Sequence, residues 1–311
     1  MTIAPENCRV ALLAGGTSGE REISLASGKA VQEALTAKGY QVDMIDPASK
    51  DDLKKLVDEQ FDVAFLAMHG KGGEDGSLQG MLEILGIPYT GSGVAASALA
   101  MDKAKAKVIY REYGIATPLS ITLQLGESYS ADAIFEDIGP RCVVKPASEG
   151  STIGIQIVDS SAALAEAIKE AFEFDSEVVV EKFVKGMEIT VAVLGNEEIH
   201  ALPPIEITFE SEYFDYESKY TPGGCQHICP ARMGVQMTSL VKKRAEQAHR
   251  ALGCRGVSRT DMIIDQEGEP WVLETNTIPG MTAASLLPDA ARVDGIEFED
   301  LCEKLIEFAL E

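Results

Sequence analysis

The stretch Thr260–Thr282 reads TDMIIDQEGEPWVLETNTIPGMT. It sets two acids and an amide, Asp261, Glu274 and Asn276, among apolar, β-prone residues. MIID and WVLE are strand-like runs, and QEGE between them is a turn signal, so the segment reads as a β-hairpin. A turn centred on Glu267-Gly268 makes facing residue numbers sum to 535. Asp261 then faces Glu274, and Arg259 faces Asn276. Alternate residues of a strand share a face, so these four side chains form one polar patch.

Facing residues have Cβ atoms about 4.5–5.5 Å apart. Two carboxylates at that separation repel by a few kcal/mol. A divalent cation between them turns repulsion into attraction, and carboxylate and amide oxygens are the donors Mg²⁺ prefers. The bland alternative is a solvated hairpin face with one acid protonated or turned away. A register slip of one residue would put the groups on opposite faces and end the metal reading.

Outward from the hairpin, 311 residues suggest about two to three domains. An apolar fraction of 45% supplies a large core, and no uninterrupted apolar run is long enough for a membrane span. The opening MTIAPENCRVALLAGG lacks the pattern of a secretory signal. The formal charge is −23, from 27 basic and 50 acidic residues, which argues against non-specific nucleic-acid binding. An anionic ligand must then be held by local lysines and backbone N–H groups. The six cysteines, at 8, 142, 225, 229, 254 and 302, are scattered and fit a reducing cytoplasm. CQHIC (Cys225, His227, Cys229) lacks the second half of a zinc pattern and reads better as a mobile loop with incidental thiols.

At the other end, RVALLAGG, YQVDMID and FDVAFLAMHG are strands separated by helical stretches. The βαβαβ order predicts a doubly wound parallel sheet, with binding groups at the strands' carboxyl ends. GGTSGE and HGKGGEDG fall there. From about residue 98 a smaller α+β unit follows, beginning with a helix over ALAMDKAKAKVIYREYG. Beyond it come a long loop, FDYESKYTPGGCQHICPA, a helix at about 235–252, the hairpin and a C-terminal helix.

Each motif carries an ordinary reading beside a functional one. KPASEGSTIG (Lys145–Gly154) is either a flexible hairpin or a loop whose N–H groups cradle phosphate, and it is not a Walker A loop. In GGTSGE, Ser18 is a candidate N-cap and Glu20 suits a helix N-terminus, but Glu20 could equally grip a substrate ammonium. GSGVAA lies too late in the chain for a dinucleotide site. His69 stands among glycines at a strand end, where a histidine borders a ligand more often than elsewhere. EKFVKGME (Glu181–Glu188) reads on its own as a charged edge strand.

In order along the chain, LLAGGTSGEREISLASG, MHGKGGEDGSLQG, ALAMDKAKAK, VVKPASEGSTIG, VEKFVKGMEITVAVL, FDYESKY, SRTDMIID and LETNTIPGMTAASLLP resemble the D-alanine–D-alanine ligases of the ATP-grasp superfamily. The resemblance covers nearly the whole chain. It implies an α/β protein of three domains, here 1–97, 98–187 and 188–311, with ATP between the antiparallel sheets of the last two. It implies that one D-alanine carboxylate takes the γ-phosphoryl of ATP, and that the amine of a second D-alanine attacks the acyl phosphate to give a peptidoglycan precursor. It assigns Asp261, Glu274 and Asn276 to two Mg²⁺ or Mn²⁺ ions. Lys103, Lys145 and Lys219 hold phosphates, with Ser151 and its loop closing over them. Lys182 and Val184 present backbone to adenine, Glu181 takes its amino group, and Glu188 binds ribose. Glu20, linked through Ser151 and Tyr220, anchors the first D-alanine, with His69 nearby. Arg259 and the Gly280 N–H stabilise the oxyanion, and Ser285 and Leu286 receive the second D-alanine. Thr275 and Thr277 depart from the Ala and Ser common in the family, and Thr275 should point away from the metal face.

The expected protein is a cytoplasmic, homodimeric ADP-forming ligase. Tyr220 favours a dipeptide product over the D-alanyl-D-lactate of sister enzymes. The rival of another class is a module that binds ATP without turning it over.

Overall fold

The computed structural model describes residues 4–150, 153–209 and 225–311. Strands β1 (Arg9–Leu13), β2 (Gln41–Ile45) and β3 (Val63–Leu66) form a parallel sheet in the order β2-β1-β3. Helices α1 (Arg21–Ala37) and α2 (Lys50–Asp58) make the crossovers. Val10, Leu12, Leu13 and Val63 are fully excluded from solvent, as strands covered on both faces must be. Helix α3 (Ser77–Leu85) follows the glycine-rich turn after β3.

The helical stretch expected from residue 98 is two helices, α4 (Val94–Met101) and α5 (Lys103–Glu112). Asp102 divides them. Its backbone is extended, and its carboxylate accepts the Lys105 N–H at 2.9 Å. An aspartate that caps one helix ends the one before it. The break makes Lys103 the first residue of α5, with its N–H on the Ala147 carbonyl at 2.9 Å.

A four-stranded antiparallel sheet follows, of β4 (Ser120–Gln124), β5 (Cys142–Pro146), β6 (Gln156–Val158) and β7 (Glu177–Lys182), ordered β4-β7-β5-β6. Helices α6 (Ala131–Ile138) and α7 (Ser161–Ala171) cover one face, and Ile138, Leu164 and Ile168 bury Val144 and Val180.

The last sheet holds β8 (Met187–Gly195), β9 (Ile199–Ala201), β10 (Ile205–Phe209), β11 (Cys225–Ile228), β12 (Gly256–Ile264) and β13 (Pro270–Asn276). Its order is β11-β10-β8-β12-β13, with β9 on β8. Helix α8 (Val235–Leu252) backs it together with α4 and α5. Helices α9 (Leu286–Val293) and α10 (Phe298–Leu310) return to the first sheet, where Leu287, Leu301 and Leu305 share a core with Val10 and Leu12. The cores therefore join segments far apart in the chain. Among the described residues, no helix is long and apolar enough to cross a membrane.

The β12–β13 hairpin pairs Arg259 with Asn276 and Asp261 with Glu274, the register read from the sequence. Nearer the turn the pairing shifts, and Met262 faces Val272. Leu273 is the extra residue of a β-bulge. The turn is also longer than expected. Asp265 closes it, accepting from the Glu269 N–H at 2.8 Å and from Trp271 Nε1 at 2.7 Å.

Candidate active site

Residues of the two antiparallel sheets, and of α1 and the loops at the carboxyl ends of the parallel strands, line one open cavity of about 1070 Å³. On the hairpin wall, Arg259 makes a two-pronged contact with Asp261, Nε to Oδ1 and Nη2 to Oδ2, each 3.1 Å. Thr190 of β8 donates to the same Oδ1 at 2.5 Å. Burial alone would lower the Arg259 pKa. Asp261, Glu274 and Glu74 outweigh it and hold the guanidinium charged. Glu274 takes Lys103 Nζ at 3.3 Å. Asn276 Oδ1 accepts the Ile278 N–H at 2.9 Å, which turns the chain into Pro279-Gly280.

The reverse side of the ribbon is sealed. Tyr110 donates to Thr275 Oγ1 at 2.8 Å, and Thr260 Oγ1 lies 3.0 Å from it. Thr275 thus points away from the polar patch, as its place in the alternation requires.

The opposite wall carries lysines. Lys103 Nζ donates to the Glu149 carbonyl at 2.7 Å. Lys145 Nζ lies 2.5 Å from Glu181 Oε1, and Lys107 Nζ lies 2.7 Å from Oε2. Burial would raise the Glu181 pKa, but the two ammonium groups overcome it and keep the carboxylate ionised. Burial lowers Lys107 to about 8, with Glu181 opposing the shift.

The parallel sheet contributes the third side. Glu20 occupies the N-cap position of α1 without a side-chain cap bond. Ser18, the expected cap, accepts the Glu20 N–H at 3.2 Å and donates to the His69 carbonyl at 2.7 Å, tying the two strand-end loops together. A Cβ on Gly150 would come within 2.9 Å of Glu20 Oε2, so the glycine-rich loop reaches this wall because it has no side chain there. His69 is buried, and its Nε2 lies 3.3 Å from Ser27 Oγ. Burial, and then the Arg259 charge, push its pKa down to about 4, so it is neutral at pH 7. Glu74 is also buried and accepts the Gly70 N–H at 2.7 Å. Burial, and then Glu20, raise it to about 8.

Of the residues singled out in the sequence, the cavity brings together Glu20, His69, Lys103, Lys145, Glu181, Lys182, Val184, Glu188, Arg259, Asp261, Glu274, Asn276, Gly280, Ser285 and Leu286. Ser151, Lys219 and Tyr220 lie outside the described residues; of the expected loop FDYESKYTPGGCQHICPA, Cys225–Ile228 is instead strand β11, held by its pairing with β10. Ser285 Oγ accepts the Thr282 N–H at 3.0 Å, and a Cβ on Gly280 would sit 2.8 Å from it. Sequence reading missed Glu74 and Lys107. An acid between glycines at a strand's carboxyl end was the signal for Glu74. For Lys107 there was none.

Among the described residues, no three His, Cys, Asp or Glu side chains are grouped to hold a metal, and His227 instead lines the cavity. The hairpin offers a different donor set, two carboxylates and an amide. All are hard oxygen ligands, which suits Mg²⁺ or Mn²⁺.

The chain matches the family models described as D-ala D-ala ligase N-terminus, over residues 47–92, and D-ala D-ala ligase C-terminus, over residues 109–307. It is 48% identical to a D-alanine–D-alanine ligase of Pelotomaculum thermopropionicum, with 97% of each chain aligned. Its fold is similar to that of the Bacillus anthracis D-alanine–D-alanine ligase (TM-score 0.88, 38% identity, 97% of each chain). The same enzyme complexed with ATP gives a TM-score of 0.86, at 36% identity and 97% of each chain. A D-Ala:D-Ser ligase from Enterococcus faecalis gives 0.84, at 32% identity, covering 98% of this chain and all of the other (100%).

Proposed function

Because this chain belongs to the D-alanine–D-alanine ligase family, we propose that it joins two D-alanines into D-alanyl-D-alanine, converting ATP to ADP and phosphate, for peptidoglycan synthesis. The observation that carries this reading is the convergence on one cavity of the hairpin patch, two lysines of the opposite wall, and Glu20 with His69 from the parallel sheet.

In this reading the purine lies against the Lys182–Val184 backbone with its amino group on Glu181, and the ribose on Glu188. Lys103, Lys145 and Lys219 take the phosphates. The carboxylate of the first D-alanine attacks the γ-phosphorus, the β–γ bridging bond breaks, and ADP leaves an acyl phosphate behind. Glu20 holds that D-alanine's ammonium, and neutral His69 packs beside it. The amine of the second D-alanine then attacks the acyl carbon, its carboxylate held at Ser285 and Leu286. Arg259 and the Gly280 N–H receive the charge that develops on the carbonyl oxygen, a type of contact worth about 3 kcal/mol. The C–O bond to phosphate breaks, the leaving phosphate takes the proton the amine loses, and the amide remains. Asp261, Glu274 and Asn276 would hold two Mg²⁺ or Mn²⁺ ions, which when bound neutralise charge on the triphosphate. The same reading puts the enzyme in the cytoplasm as a homodimer, which sedimentation velocity tests.

A coupled ADP assay decides the activity. D-alanine alone should drive ADP release, and L-alanine should not. Strong stimulation only by added D-lactate or D-serine would replace the dipeptide assignment with a sister activity, as the fold of the D-Ala:D-Ser ligase permits. ATP binding without ADP release under any of these would favour a sensing module.

A further inference from the structure

Lys107 is fully buried on α5 and stands behind the cavity wall rather than on it. Its Nζ touches three oxygens: Glu181 Oε2 at 2.7 Å, Thr117 Oγ1 at 2.8 Å and the Pro118 carbonyl at 3.3 Å. The other oxygen of Glu181 takes Lys145 at 2.5 Å. Lys145 and Glu181 are both buried, yet both line the cavity. Two ammonium groups thus surround one carboxylate.

A lone buried pair would close on itself and carry no net charge. A buried triplet with a surplus cation costs desolvation that internal pairing does not repay. The next charged group acting on Lys107 is Arg111, another cation, so the surplus is not cancelled from that side. It faces the cavity, through Lys145.

We propose that Lys107 is a positioning residue for the nucleotide phosphates: it neutralises Glu181 from behind, so that Lys145 presents an uncancelled positive charge to the cavity. This rests on the ligase reading, in which Lys145 meets phosphate. Without Lys107, Glu181 would pair with Lys145 alone, and the wall would become neutral. Lys107 itself touches no substrate.

The readout is the ratio of ATP to adenosine affinity, measured by calorimetry without amino acid, because that ratio isolates the phosphates. Lys107→Met should lower it about tenfold, the size of one unit charge acting through partly screened protein. Glu181→Gln should raise it above wild type, even though adenosine itself binds more weakly. The double variant, Lys107→Met with Glu181→Gln, leaves Lys145 unpaired and should return the ratio to near wild type. A purely structural lysine would weaken adenosine and ATP together, and an unchanged ratio in Lys107→Met overturns the proposal. If that variant does not fold, the other two decide: equal ratios in wild type, Glu181→Gln and the double variant overturn it. Normal D-alanine-dependent ADP release with an unchanged ratio removes this inference alone. Wild-type protein that binds ATP no better than adenosine removes the ligase reading and this inference with it.

Discussion

The two faces of the β12–β13 ribbon are built from alternate residues of the same strands and differ in almost every physical respect. On the cavity face, Arg259, Asp261, Glu274 and Asn276 are half-buried and charged or polar, and Lys103 of α5 meets Glu274 from another element. On the reverse face, Thr260, Met262 and Thr275 are buried, and the two threonine hydroxyls close a neutral network with Tyr110. Ser258 belongs to this face too, and lies 2.8 Å from His249 Nδ1. One face keeps charge available; the other exhausts its hydrogen bonds internally. A change on the first should therefore be read in rate, and a change on the second in stability.

The largest expected effect is on the cavity face. Glu274→Gln removes one of two facing carboxylates, and ADP formation should fall by about a thousandfold while the melting temperature holds. A wild-type rate at low Mg²⁺ would break the division between the faces. Arg259→Met should cost about a hundredfold in kcat. It also strands Asp261, so this variant should lose stability as well, and chemical denaturation alongside the ADP assay will show both.

Protonation tests the faces together. His69, beside the cavity, and His249, behind the sheet, are both pushed down to about 4 by burial. The unfolded chain binds their protons near pH 6.5, so the stability linked to each is complete above that pH. It is lost as pH falls toward 4, by on the order of 3 kcal/mol per histidine. Urea titrations from pH 7 to 4 should show this loss, and His249→Gln should flatten it without changing kcat at pH 7. The smallest effect belongs to the reverse face alone. Tyr110→Phe removes the hydroxyl that serves Thr275 and should cost about 1 kcal/mol, with activity per folded molecule unchanged.

Much of this ribbon was legible because strand alternation is local. The pairing of Asp261 with Glu274 was read correctly, but from a turn centred in the wrong place. The loop closed by Asp265 shifts the register by one residue, and the bulge at Leu273 shifts it back before the site is reached. Two unforeseen features cancel. The parallel sheet was equally readable, since a continuous apolar run followed by glycines has few other uses. What stayed hidden depends on tertiary packing. Nothing in KAKAK says which lysine points inward, and only the meeting of α5, β5 and β7 selects Lys107. The division of α4 from α5 needed the one observation that Asp102 caps forward.

That division has a further consequence. It sets Lys103 in the first turn of a helix, where the helix's own dipole disfavours a cation. Glutamate at 103 would please the helix and ruin the pocket. Lys103 is held there against its helix's own preference by Glu274 and the Glu149 carbonyl, so a glutamate would gain a little from the dipole and lose more to repulsion from both.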